Sequence, residues 1–245
     1  MLKKLFILLT LVLIIAYLTI AMTAFNVKPN YDACEGVELV INDSVDYGLI
    51  TQREVLRILN NKKLSPIDKE IGKINTRLLE DELNKHPLIG NAECYRTSGN
   101  RIGIDITQRL PILRVMAANG ENYYIDDKGQ TMPIPNSATN VAIVTGHVEK
   151  SFATKELYEL GMFLQKNPLW QTQIQQINVT PNKELELVPL VGDHIIFLGK
   201  PGDYKNKFDR LKTFYKKGLN EIGWNKYSRI NLEISNQIIC TKKEK

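Results

Sequence analysis

The alternation of apolar and polar residues divides the chain into segments of different kinds. The first is LFILLTLVLIIAYLTIAMTA, an uncharged run over residues 5–24. At about 1.5 Å per residue, a helix of this length spans roughly the 30 Å of bilayer hydrocarbon. We therefore predict a transmembrane helix over residues 5–24, preceded by a cytoplasmic tail of residues 1–4.

The charges around this run predict its orientation. Lys3 and Lys4 precede it and the next basic residue is Lys28, so the positive-inside rule keeps the N-terminus in the cytoplasm. The competing interpretation is a cleaved signal peptide, whose apolar region is usually about 7–15 residues long and ends in a small-x-small site. Because this run is longer and Thr19-Ile20-Ala21 is a poor site, we favour an uncleaved anchor with the remaining chain outside the cytoplasm.

A polar linker over residues 25–35 leads into a predicted β-α-α-β-β domain over residues 36–109. After a strand at 37–41, Thr51 and Glu54 have the spacing of a capping box that begins a helix. A second helix begins at Asn75 or Thr76 and is stopped by Pro87. The last two strands are expected at 92–95 and 102–107, and the second alternates strictly, as a half-buried antiparallel strand does.

From residue 110 the pattern changes to short strands joined by turns. Strands are predicted near 112–117, 121–126, 130–134, 141–146, 174–179, 184–188 and 194–198, with helices at 154–165 and 204–222. Two strands at 229–234 and 237–241 close the chain before a charged tail of residues 242–245. The fold class is therefore α+β, with one transmembrane helix, the β-α-α-β-β domain, and a mostly antiparallel β domain with two helices over residues 110–241.

The net charge of +5 lies mainly at the chain ends, not on a folded surface. Residues 1–24 contribute +2, from Lys3 and Lys4, and the tail at 242–245 contributes another +2, which leaves +1 for the 217 residues between. A basic surface for nucleic acid is therefore not supported. The 43% of hydrophobic and 24% of charged residues also exclude a disordered chain.

The sequence contains little that indicates a catalytic site. His86, His147 and His194 fall in three different predicted elements, and no nucleophile, zinc-protease or phosphate-loop motif is present. Asp126 and Asp127 are the best pair for general acid and base work, but Lys128-Gly129 follows them directly and favours a hairpin turn instead. We predict that the protein is not an enzyme and needs no cofactor.

Two further sets of residues have ordinary interpretations. The three cysteines form neither a disulfide framework nor a zinc site. The pattern around Cys94 predicts a small buried hydrophobic residue. The sequence does not decide whether Cys34 and Cys94 pair. The predicted helix at 204–222 carries a cationic face that is typical of a solvated surface, because Asp203 and Asp209 are interleaved with the cations. That face consists of Lys205, Lys207, Arg210, Lys212, Lys216 and Lys217.

Three passages, taken in order, resemble the FtsQ/DivIB family of bacterial cell-division proteins. GLITQREVLRIL with INTRLLEDELNKHPLIGNAECYRTSGNRIGIDITQRLPILRV is similar to the family's POTRA module, including the Gln108-Arg109-Leu110-Pro111 junction. YYIDDKGQTMP resembles its aromatic-Asp-x-x-Gly hairpin, and INLEISNQIICTK resembles its closing strand pair. The likeness covers nearly the whole chain.

This resemblance implies a non-catalytic divisome scaffold at the septum. Family members bind FtsB and FtsL outside the cytoplasm and help control septal peptidoglycan synthesis by FtsW and FtsI, while the POTRA module serves recruitment. The last strand accepts a strand from FtsB, because an edge strand offers unpaired backbone groups to a partner. The expected partner-binding residues here are Ile238, Ile239, Cys240, Thr241 and Lys242, with Tyr227 and Trp224 nearby.

Two departures from the family pattern and two alternative functions remain. The predicted cytoplasmic tail is short, and Glu233 stands where the family often has an Arg in its penultimate strand. The first alternative is a POTRA-bearing factor for export or assembly in the cell envelope, which would hold unfolded chains by the same strand addition. The second is an anchored cell-wall enzyme that uses Asp126 or Asp127.

Overall fold

The structure is a computed structural model that describes residues 2–24, 32–42, 48–135, 137 and 139–244. The predictions for Met1 of the tail, for residues 25–31 of the linker and for Lys245 lie outside the described residues.

Helix α1 covers Leu2–Ala24. Of its side chains, those at positions 3, 6 and 9–21 are described, and most of these are exposed. Among the residues that the structure describes, no helix has both the length and the apolar character needed to cross a membrane. The helix predicted for residues 5–24 is confirmed, whereas its transmembrane role is not.

The β-α-α-β-β order predicted for the first domain is confirmed. Strands β1, β2 and β3 cover Gly36–Asn42, Ile89–Arg96 and Arg101–Gln108, and helices α2 and α3 cover Gln52–Asn61 and Thr76–Leu83. The sheet order is β1-β3-β2, in which β3 pairs parallel with β1 and antiparallel with β2. The two helices contribute Val55, Leu59, Leu79 and Leu83 to the core of this domain.

Side-chain caps begin both helices at the predicted residues. Thr51 caps α2: its hydroxyl accepts a hydrogen bond from the Glu54 amide at 3.3 Å, and its own amide donates to the Glu54 carboxylate at 2.9 Å. The Asn75 side chain accepts from the Leu78 amide at 3.2 Å and caps α3. These bonds satisfy amides that have no partner within the helix.

The second domain is built on one nine-stranded sheet. Its strands are β4 Pro111–Ala117, β5 Asn122–Asp126, β6 Thr131–Met132, β7 Ala142–Gly146, β8 Ile174–Val179, β9 Leu185–Pro189, β10 Ile195–Gly199, β11 Tyr227–Asn231 and β12 Ile239–Lys242. They lie in the order β12-β11-β10-β9-β8-β7-β4-β5-β6. Five neighbouring pairs are antiparallel, as predicted, but β4 with β7, β7 with β8 and β10 with β11 are parallel.

Two of the parallel pairs, β7 with β8 and β10 with β11, are connected through helices, and three helices pack on the sheet instead of the two predicted. Helix α4 runs through Lys150–Phe152, Ala153–Leu157 and Tyr158–Gln165, and α5 covers Pro168–Gln173. Helix α6 runs through Tyr204–Phe214, Tyr215–Leu219 and Asn220–Ile222. All three contribute to a single core cluster with the strands. Both α4 and α6 connect parallel strands in the same direction along the sheet, which places them on the same face.

Candidate functional site

Strand β12 forms one edge of the nine-stranded sheet. It pairs antiparallel with β11, in a register that joins Tyr227 to Lys242 and Asn231 to Ile239. Within the described residues no strand lies along its other side. That side therefore offers backbone N–H and C=O groups to an added strand.

The side chains of β12 differ in exposure between the two faces of the sheet. Cys240 is half-buried and packs against the core beneath the helices. Ile239 is 46% exposed, and Thr241 is exposed as well. Since alternate residues of a strand point to opposite faces, Ile239 and Thr241 lie on the face away from the helices. Lys242, the last strand residue, is exposed too.

Five of the seven expected partner-binding residues lie together at this edge, namely Ile239, Cys240, Thr241 and Lys242 of β12 and Tyr227 of β11. Tyr227 is half-buried in β11 beside the end of β12. Ile238 is half-buried but precedes β12, so its placement within a strand at 237–241 is corrected. Trp224 precedes β11, and its ring lies on the helix side, 4.8 Å from that of Tyr215. Trp224 therefore packs against α6 rather than along the edge.

Arg210 of α6 binds the connection between β11 and β12. Its guanidinium donates to the carbonyls of Leu232 at 2.7 Å and Ile234 at 2.8 Å, and also to the carbonyl of Gln237. These bonds fix the connection that follows β11, which ends at Asn231, and precedes β12, which begins at Ile239. The sequence pattern missed this role because the partners of Arg210 are backbone atoms.

The cationic face predicted for α6 is not uniformly solvated. Lys207 is buried, and its ammonium donates to the carbonyls of Leu198 at 3.0 Å and Lys200 at 2.8 Å. Burial lowers its pKa from the ordinary value. With Arg210 bound to the β11–β12 connection, two of the six predicted surface cations serve structure, and the other four are exposed.

The penultimate strand carries an arginine, although not where the family often has one. Arg229 of β11 stacks over the Phe197 ring at 4.3 Å and pairs with Glu186 at 2.9 Å. Glu233, at the family's Arg position, is exposed and lies against Gly199.

The Asp126 carboxylate shapes the β5–β6 hairpin, which confirms its interpretation as a turn residue. Its side chain is 1% exposed, and Oδ1 accepts from the amides of Lys128 at 3.1 Å and Gln130 at 2.7 Å. Oδ2 accepts from Arg109 Nε at 2.8 Å and Nη2 at 2.7 Å. All its strong acceptor positions are occupied by donors of the fold.

Arg109 joins the two domains through this pair. Besides Asp126, its guanidinium donates to the carbonyls of Pro87 at 3.0 Å and Thr131 at 3.1 Å. The neighbouring Gln108 side chain accepts from the Ile50 amide at 2.9 Å. The Gln-Arg-x-Pro motif is therefore a structural junction between the POTRA-like domain and the β domain.

The three histidines lie apart, and one is buried. His194 is 1% exposed; its Nε2 lies 2.8 Å from the Tyr215 hydroxyl, and its Nδ1 has no hydrogen-bond partner. Burial lowers the pKa of His194. His86 is half-buried, and His147 is exposed. Among the described residues, no group of His, Cys, Asp and Glu is arranged to hold a metal ion.

The cysteines are free thiols. Cys94 is 6% exposed, and burial raises its pKa to about 12. Because the thiolate is the reactive form, this agrees with its interpretation as a small buried hydrophobic residue.

Comparison with known proteins assigns the chain to a family. A family model described as FtsQ/DivIB, C-terminal related, matches residues 110–241, more than half of the chain. The chain belongs to the FtsQ/DivIB family. A model for a POTRA-like domain matches residues 32–107, ahead of the FtsQ/DivIB match. The cell division protein FtsQ of Geotalea daltonii is 25% identical over 181 residues, covering 69% of this chain and 64% of that relative's length.

Proposed function

We propose that the chain is a non-catalytic scaffold of bacterial cell division that binds FtsB- and FtsL-type partners outside the cytoplasm. Membership of the FtsQ/DivIB family supports this role, as does the likeness to a protein named for cell division. Through these partners the chain helps control septal peptidoglycan synthesis by FtsW- and FtsI-type synthases. The POTRA-like domain serves recruitment to the division site.

The proposed location is the cell membrane at the septum, with the N-terminus in the cytoplasm and both folded domains outside. Helix α1 has 23 residues, which at about 1.5 Å each give a length of about 34 Å. Its described side chains include exposed Leu13, Ile14 and Leu18. Lys3 and Lys4 at its start support the orientation.

The observation that carries the proposal is the position of β12 at the sheet edge. One side of this strand is paired with β11, and three of its four side chains are exposed. A partner strand would complete the ladder without rearranging the sheet. Lys243 extends the edge, with its amide bonded to the Lys226 carbonyl at 3.1 Å and its ammonium to Asp193 at 3.1 Å.

Proline at Ile239 tests whether partner capture requires an intact β12. Ile239→Pro removes a backbone N–H and disturbs the ladder, so we expect co-purification of an FtsB-type partner and mid-cell localisation of the tagged chain to be lost. Ile239→Thr is the matched control, since it keeps the N–H and a β-branched side chain. We expect this variant to retain both.

The POTRA-like domain should stay folded when β12 is altered, because its sheet does not include that strand. Deletion of residues 237–245 is expected to abolish partner capture and leave that domain folded, as measured by limited proteolysis. Undiminished capture by the Ile239→Pro variant would contradict strand addition. A uniform envelope signal from the unmodified chain would contradict the division role and favour an export factor.

A further inference from the structure

A groove runs along the flank of α6 that faces α5. It consists of two adjoining hollows of about 290 and 440 Å³, which share Leu169, Trp170 and Lys212. The larger hollow extends towards Lys205, and the smaller one towards Trp224. None of the seven residues expected to form the β12 interface lines this groove except Trp224.

The groove presents aliphatic side chains above an aromatic floor. Leu169 and Val191 line the groove and are 51% and 47% exposed. Beneath them Trp170 and Tyr215 are buried, with ring centroids 5.9 Å apart. Exposed aliphatic residues gathered at one concave site with polar residues around it mark an interaction surface.

The rim of the groove is cationic. Lys205, Lys212 and Lys216 line it from α6 at spacings of seven and four residues, which places them on one side of the helix. Asp209 is the acidic residue among them. Within the described part of the chain, none of the three lysines has an ion-pair partner. Their charges complement an acidic ligand.

The dimensions of the groove suit a helix. From Lys205 to Asn220 the lining of α6 extends over 15 residue steps, or about 22 Å, which equals four helical turns. A concave channel with spaced apolar anchors accepts side chains at i, i+3, i+4 and i+7 of an amphipathic helix. A flat bilayer surface would reach the exposed aliphatic side chains but would not fill the two hollows.

Helix α6 separates this groove from the β11–β12 connection. Arg210, Thr213 and Lys217 lie on the opposite flank of the helix, facing residues 235–238. We propose that the α5–α6 groove is a second binding surface, which takes an acidic amphipathic helix of a partner protein while β12 takes a strand. The two surfaces can be occupied at the same time.

Site-specific photo-crosslinking tests the groove in the full chain. A benzophenone side chain is placed at Leu169 or at Val191, in cells that make the protein, and the crosslinked peptide is identified by mass spectrometry. We expect an adduct with an acidic segment whose apolar residues have helical spacing. In a Lys212→Glu, Lys216→Glu background the adduct yield should fall about ten-fold, since reversed charges repel an acidic partner. These lysines are exposed and make no ion pair, so their reversal leaves the fold intact.

Two control backgrounds separate this surface from the sheet edge. Lys200→Glu, Lys217→Glu changes the charge equally outside the groove, and the adduct should persist. The adduct should also persist in the Ile239→Pro variant, whether or not that variant still binds a strand at the edge. Loss of the adduct in this variant would assign Leu169 to the edge interface and overturn the proposal. An adduct with lipid, with a second copy of the chain or with a non-acidic segment would overturn it too. The proposal would also be overturned if the Lys212→Glu, Lys216→Glu background left the adduct yield unchanged, or if no adduct formed at Leu169 or at Val191.

Discussion

Replacing Asp126 by Asn separates a structural role from a catalytic one. One oxygen of the Asn side chain can still accept from the Lys128 and Gln130 amides, but its NH₂ group then faces the N–H groups of Arg109. Asp126 and Arg109 are 1% and 13% exposed, so the guanidinium loses a buried counter-charge. Breaking a buried pair from one side costs about 3–5 kcal/mol. Because Arg109 keeps its bonds to the Pro87 and Thr131 carbonyls, we expect the lower end, about 3 kcal/mol.

Equilibrium unfolding in urea measures this loss. Both tryptophans, Trp170 and Trp224, lie in the β domain, so their fluorescence reports the free energy of unfolding of that domain. Asp127→Asn is the matched control at the neighbouring position, where the side chain is only half-buried, and should change stability by less than about 0.5 kcal/mol. Equal midpoints for the two variants would refute the structural role. So would an Asp126→Asn, Asp127→Asn protein of normal stability that binds its partners but fails to support division, since that result is expected of an enzyme.

Two further predictions concern α6 and its neighbours. Arg210→Ala should lower the affinity for an FtsB-type strand about ten-fold or more in a pull-down titration, because the β11–β12 connection loses three guanidinium bonds. Arg210→Lys should bind as weakly as Arg210→Ala. The control variant Lys217→Ala should bind as strongly as the unmodified chain. Burial lowers the pKa of His194, so the unfolded state binds its proton first as pH falls below about 6.5. The unfolding free energy should therefore decrease from pH 7.5 to 5, and this decrease should shrink in His194→Gln but not in His147→Gln.

Local signals in the sequence were sufficient for the elements that depend on near neighbours. The Thr51–Glu54 capping box, the alternating strand β3 and the apolar stripe of α6 are each set by residues a few positions apart. Pro168 follows α4 and occupies the first turn of α5, where its missing N–H costs nothing.

Features that depend on distant partners could not be read from the pattern. The pattern predicts closing strands at 229–234 and 237–241, but β11 ends at Asn231 and Arg210 binds the Leu232 and Ile234 carbonyls that follow. Leu232 is buried and its amide still bonds the Phe197 carbonyl of β10, whereas Ile234 is 47% exposed. The parallel pairs β7–β8 and β10–β11 depend likewise on where α4 and α6 return the chain, which alternation alone does not specify.

The two ends of the nine-stranded sheet are unequal, and this inequality limits the stoichiometry of any assembly. At one end β6 has only two residues, and Arg109 already binds the Thr131 carbonyl. At the other end, no strand among the described residues lies beside β12. Under the proposed strand addition the sheet grows at the β12 end, by one strand per chain, and the added strand becomes the new edge. A third protein that extended the same sheet would have to arrive after the second, so the geometry of the sheet imposes an order on recruitment.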